Sequence, residues 1–190
     1  MHNGKATEAV QRVALVLCEL RPGGAERVAV HLAGGLQRLG VEPLVVCIQQ
    51  KGVLSRILQE QGIDVVAMTS MRACDVRAVL RLRKTLSRFH PSIVHVHDYS
   101  SLPYAVLANV LGPRCPLVFT SHGLLYEGFE PLQLRYRLFS RGITALAAVS
   151  EPVRDRHVAY LGWRRETHIV PNGVPLIARD PADRAAVRRE

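Results

Sequence analysis

No stretch of this sequence is long and apolar enough to cross a bilayer, and residues 1–11 are polar, without the apolar core of a secretory leader. The expectation is a cytoplasmic protein with a disordered N-terminus. Cysteine is scarce. Of four, Cys18, Cys47 and Cys115 sit in or beside apolar strand-like runs and Cys74 stands alone; without a C-x-x-C pair, reduced thiols are expected. Two phosphate-binding fingerprints, G-x-G-x-x-G and G-K-[ST], are missing, which removes the commonest nucleotide-binding explanations. Carboxylates are in deficit: 16 Asp and Glu face 25 Lys and Arg, a net charge of +9. Nearly all the cations are arginine. The excess fits either a solvated surface drifting with codon usage or a patch for an anionic partner such as nucleic acid, a phosphorylated substrate or a membrane face.

What is present is a chain of 190 residues, 48% apolar, enough to bury one core and too short for two domains. Short apolar, β-branched runs alternate with helix-length amphipathic segments, as in β-α units winding a parallel sheet. Residues 12–20 read as a buried strand, 21–24 as a turn, and 25–39 as a helix stopped by Gly40. Strands follow at 43–48, 64–68, 93–96, 116–120, 145–149 and 167–170. Helices are expected near 53–61, 75–89, from Pro103 to Gly112, 132–141 and 151–160, the last capped by Ser150. In the 75–89 helix the spacing of Val76, Val79, Leu82, Leu86 and Phe89 predicts a core face, with Arg77, Arg81, Lys84 and Arg88 opposite. Beyond residue 174 the composition shifts, and 183–190 resembles the opening turns of a further helix.

In open parallel α/β sheets ligands collect at the carboxyl ends of the strands. The residues just beyond those ends form a coherent set: Gly23-Gly24 with Glu26, His97-Asp98, His122-Gly123, Ser150-Glu151 and Asn172-Gly173. Gly23 and Gly24 precede a helix, so they either make a tight turn or let amides approach a phosphate. Glu26 in the first helical turn is favoured by the helix dipole whatever else it does. His95 and His97 alternate along a strand and point the same way; an H-x-H metal site would need a further Asp-His pair that is missing, which leaves His95 as an interior hydrogen-bonded residue and His97 as the site candidate. His122, at a strand exit beside a glycine, is placed to donate a hydrogen bond to developing negative charge.

In this order, Gly23-Gly24-Ala25-Glu26-Arg27-Val28, Val94-His95-Val96-His97-Asp98, Phe119-Thr120-Ser121-His122-Gly123, Val149-Ser150-Glu151 and Val170-Pro171-Asn172-Gly173-Val174 resemble the N-terminal domain of family-four glycosyltransferases. The resemblance implies the N-terminal half of a retaining GT-B enzyme: a Rossmann-like parallel sheet with helices on both faces over residues 12–174, then a linker at 175–190 towards a C-terminal domain. By that analogy Gly23, Gly24 and Gly123 approach the donor, and His122 contacts the donor sugar near the reacting carbon. Glu26, His97, Asp98, Tyr126, Ser150 and Glu151 line the acceptor side, and Asn172-Gly173 forms the interdomain hinge.

The same resemblance implies a nucleotide-sugar as substrate, a saccharide or lipid-linked acceptor, no cofactor or metal, no nucleic-acid partner, and a C-terminal GT-B domain supplied in cis or in trans. Without that domain the chain is expected to be inactive. The Arg77/Arg81/Lys84/Arg88 face resembles the basic helix of membrane-associated relatives and implies docking on anionic lipid at the inner face of the plasma membrane. A binding module that recruits a separate catalytic subunit is the competing reading, with a GT-B epimerase or phosphorylase third.

Overall fold

The computed structural model describes residues 11–71, 74–123 and 130–173. Tyr126, the 175–190 linker with its helix at 183–190, and all but the last residue of the 1–11 segment lie outside them. Seven strands, β1 (Arg12–Leu17), β2 (Glu42–Cys47), β3 (Asp64–Ala67), β4 (Ile93–Val96), β5 (Leu117–Ser121), β6 (Ala145–Ala148) and β7 (Thr167–Ile169), form one sheet in the order β3-β2-β1-β4-β5-β6-β7. Every neighbouring pair is parallel. The connecting helices are α1 (Gly24–Arg38), α2 (Ser55–Glu60), α3 (Val76–Phe89), α4 (Leu102–Val110), α5 (Gln133–Ser140) and α6 (Glu151–Leu161).

The period-two alternation of the strands divides the core into two layers. Leu15, Leu17, Val45, Cys47 and Val65 face one way and pack with Ala29, Val30 and Ala33 of α1 and Leu58 of α2. Their neighbours Ala14, Val16, Leu44, Val46, Val94, Val96, Leu117, Phe119 and Leu146 face the other way, against Ala78, Leu82 and Leu86 of α3, Ala105 and Ala108 of α4, Tyr136 of α5 and Tyr160 and Leu161 of α6. Helices therefore cover both faces, and winding reverses between β1 and β4, the switch point beside which open α/β sheets bind ligands.

Three expectations need correction. Val76 is 67% exposed and does not join the core face of α3, whose buried residues are Ala78, Val79, Leu82 and Leu86. At 100° per residue Val76 falls about 60° outside that arc, because a spacing of three from Val79 also reaches the edge of the stripe. The first strand stops at Leu17 instead of Leu20, since the Cys18 amide donates to the Asp98 carboxylate at 2.6 Å. Ser150 occupies the N-cap position of α6 but makes no side-chain cap hydrogen bond; its carbonyl accepts from the Arg154 amide at 2.9 Å. By contrast the Asp75 carboxylate caps α3, accepting from the amides of Arg77 and Ala78 at 2.9 and 3.2 Å.

Candidate functional site

A cleft of about 660 Å³ opens at the carboxyl ends of β1, β4 and β5. It is lined by Gly23, Gly24, Ala25 and Glu26 from the start of α1, the 97–100 segment after β4, the 119–123 segment ending β5, and His157 from α6. Of the residues singled out from the sequence, Gly23, Gly24, Glu26, His97, Asp98, His122 and Gly123 thus share one cavity. Ser150 and Glu151 sit outside its lining, and Glu151 is exposed. Asn172 and Gly173, beyond β7, also lie outside that lining and are exposed.

The Glu26 carboxylate folds back over the N-terminus of α1 and lies against Gly23, where the tip of its side chain would have to swing aside for a β-carbon. Glu26 stands three residues after the N-cap Gly23, the position from which a glutamate turns back towards the helix start, and its charge is favoured by the dipole. Gly23, Gly24 and Glu26 form one unit, an open helix end with a carboxylate beside it.

Three histidines line up across β4 and β5. The rings of His95 and His97 lie 4.2 Å apart, and those of His97 and His122 stack at 5.2 Å. His95 Nε2 meets the Thr120 hydroxyl at 2.8 Å, which makes it the hydrogen-bonded interior residue expected. His97 Nδ1 and His122 Nε2 are 2.9 Å apart, so one donates and the other accepts. Burial holds all three rings below the ordinary imidazole range: His95 to about 4, His97 well below 6.5, and His122 downward against a smaller opposing influence of Asn172. The set is neutral at pH 7. Among the described residues no group of three His, Cys, Asp or Glu is arranged to hold a metal ion. His97 Nε2 is buried and finds no hydrogen-bond partner among the described residues.

Asp98 does more for architecture than the sequence indicated. Its two carboxylate oxygens accept from the Cys18 and Ser101 amides at 2.6 and 2.7 Å, and its carbonyl accepts from the Ser101 hydroxyl at 3.1 Å. Burial raises this carboxyl and the hydrogen bonds oppose that shift. The ends of β1 and β4 are tied together through one side chain.

Sequence reasoning missed Tyr99 and His157. Tyr99 Oη lies 2.6 Å from His157 Nδ1, and His157 Nε2 donates to the Gly123 carbonyl at 2.7 Å. Val153, His157, Tyr160 and Leu161 are the buried face of α6 at spacings of three and four, so a histidine on an inward stripe was the available signal.

The larger concavity, about 850 Å³, holds none of the residues anticipated for the site. It is an apolar groove between α3, α4 and α5, lined by Val76, Val79, Leu107, Leu134 and Leu138 with Arg135 and Arg141 among its polar residues. On α3, Arg77, Lys84 and Arg88 are exposed. Arg81 is engaged within the fold, donating from Nε to the Met68 carbonyl at 2.8 Å and lying 3.5 Å from Asp75.

Comparison with known proteins identifies the fold and the family. Among solved structures, the Anabaena Alr3699/HepE complex with UDP superposes with a TM-score of 0.77 at 20% identity, over 94% of this chain and 49% of that one. A glycosyltransferase from Rickettsia africae ESF-5 gives 0.75 at 17% identity over 94% and 49%, and the lipopolysaccharide outer core galactosyltransferase WaaB gives 0.67 at 15% over 88% and 47%. The chain thus spans about half the length of these structures. No curated protein matches it. The family model described as Glycosyltransferase Family 4 matches residues 22–177, most of the chain and all of the cleft, and the chain accordingly belongs to glycosyltransferase family 4 as its N-terminal, Rossmann-like domain.

Proposed function

We propose that this domain forms the acceptor side of a retaining transferase that moves a hexose from a nucleotide-sugar to a hydroxyl of an envelope glycolipid or polysaccharide. The observation that carries the reading is the neutral, hydrogen-bonded His97–His122 pair facing the open end of α1 across the switch-point cleft. A neutral imidazole presents a donor without a full charge, suited to a sugar oxygen or to charge developing between donor and acceptor. The amides of Gly23 and Gly24 at the positive end of α1 suit the leaving diphosphate, and no metal is needed in this reading. His97, with one ring nitrogen uncommitted among the described residues, faces the acceptor hydroxyl together with Glu26. The nucleotide is held by a C-terminal domain in cis or in trans, with Asn172-Gly173 as the hinge. The UDP bound by Alr3699/HepE supports a nucleotide-sugar donor, and the lipopolysaccharide acceptor named for WaaB supports a glycolipid.

The apolar groove is the membrane-facing surface in this account, and its occupant is the anionic headgroup layer of the cytoplasmic leaflet. Charge complementarity argues for it: Leu134 and Leu138 are 81% and 59% exposed in a groove that Arg135, Arg137 and Arg141 also line, and Arg77, Lys84 and Arg88 are exposed on α3. Each such cation contributes about 1 kcal/mol near an anionic surface. Arg81 contributes least, being committed to Met68 and Asp75.

The test is transfer of labelled sugar from a nucleotide-sugar panel by the chain combined with a family-four C-terminal domain. Turnover only in the combination, lowered roughly 100-fold by His122→Ala, is the expected result. A folded combination that binds acceptor without turnover would favour the recruitment module. For docking, co-sedimentation with phosphatidylglycerol vesicles is expected to disappear in Arg77→Glu/Lys84→Glu, and its persistence would rule out this surface.

A further inference from the structure

We propose that His157 is a positioning residue for the transfer: from α6 it fixes the Gly123 carbonyl and, through it, the crevice conformation of His122. The inference rests on the reading of His122 as the group that faces the donor sugar.

The hydrogen bonds assign the proton. A carbonyl only accepts, so the 2.7 Å contact with Gly123 O requires the proton on His157 Nε2. In the neutral ring Nδ1 is then an acceptor, and it receives the Tyr99 hydroxyl at 2.6 Å. Burial, the dominant influence on this ring, favours the neutral form. The Tyr99 phenol has little freedom to swing away: it stacks on His157 at 5.3 Å and 11°, and meets Phe119 and Tyr136 edge-on at 5.0 and 4.9 Å.

What Tyr99 and His157 hold is a segment that packing leaves loose. A β-carbon at Gly123 would meet nothing within 4 Å. His122 is gripped at its ring by His97 Nδ1 at 2.9 Å, and the residue after it is gripped at its carbonyl by His157. With both points fixed the imidazole has one orientation in the cleft; with only the first, the chain leaving β5 can rotate beneath it. Tyr99 comes from the segment after β4 and His157 from α6, so the device couples the acceptor-side strand end to the far edge of the domain.

The experiment compares His157→Leu, which removes both hydrogen bonds, with His157→Gln, whose amide N–H can reach Gly123 O while its oxygen accepts from Tyr99. Imidazole 15N spectra of the unaltered chain should show His157 with its proton on Nε2. Amide exchange at His122 and Gly123 should rise about tenfold in His157→Leu and return in His157→Gln. In the chain combined with a C-terminal domain, kcat should fall about tenfold in His157→Leu with the donor KM little changed, and recover in His157→Gln. A proton on Nδ1, unmoved exchange in the leucine variant, or a folded glutamine variant as impaired as leucine would overturn the proposal. If even the unaltered combination fails to turn over, the transferase reading is what fails, and the tautomer and exchange results still uphold or refute the hold of His157 on Gly123.

Discussion

The switch-point cleft and the apolar groove, two concavities among the described residues, are built on opposite principles. In the cleft the polar side chains are tied to one another, His95 to Thr120, His97 to His122, Asp98 to two amides, His157 to Tyr99 and Gly123, which leaves His97 Nε2 and His122 Nδ1 without a partner among the described residues. Its groups come from the ends of several strands, so their geometry is as rigid as the sheet. The groove is lined mainly by apolar side chains on three helices, among them the exposed Leu107, Leu134 and Leu138, with Arg135 and Arg137 donating to Cys74 and to the Tyr160 carbonyl and Arg141 exposed. Preorganisation of dipoles suits chemistry, whereas a compliant apolar surface edged with cations suits attachment.

The comparison can be broken most forcefully at Tyr99. Tyr99→Ala removes a ring wedged among Phe119, Tyr136, Tyr160 and His157 and should cost about 3–5 kcal/mol in urea denaturation. A loss under 1 kcal/mol would show that the cleft is not built from the core outward.

Acidification is next. His95, His97, His122 and His157 are held below the unfolded value of 6.5, so below that pH the unfolded chain binds more protons than the fold. Stability is therefore complete above pH 6.5 and drains as the pH falls, each histidine contributing until its own folded-state value is reached, which for His95 is about 4. Thermal melts at pH 7 and pH 5 should show a clear drop, and equal midpoints would mean that the histidines are not buried neutral.

Asp98→Asn turns an acceptor of two amides into a group with one acceptor oxygen and should cost about 1–2 kcal/mol in the same denaturation assay. At the small end, Leu134→Ser in the groove should shift stability by no more than about 0.5 kcal/mol while weakening vesicle binding. A large destabilisation there would make the groove part of the core.

Much of this was legible in the chain because parallel strands announce themselves. The runs at 14–17 and 44–47 are buried on both faces, and the residues after the strands gather at one edge of the sheet. Gly23-Gly24, His97-Asp98 and His122-Gly123 could be placed in one crevice from order alone. Long-range hydrogen bonds were not legible. Nothing local says that Asp98 serves Cys18, 80 residues earlier, or that His157 serves Gly123 and Tyr99, 34 and 58 residues away. Val76 was misread because the edge of a helical stripe differs from its centre only through the packing of neighbouring helices.

The central claim is that the cleft, and not the groove, meets the donor. Backbone 1H–15N shift mapping of this chain, with a nucleotide-sugar and a family-four C-terminal domain added together, tests it directly. The account predicts perturbations concentrated at Gly23, Gly24, His122 and Gly123, with α3 and α5 silent. Perturbations confined to the groove helices, or none in the cleft while the two domains bind each other, would contradict it.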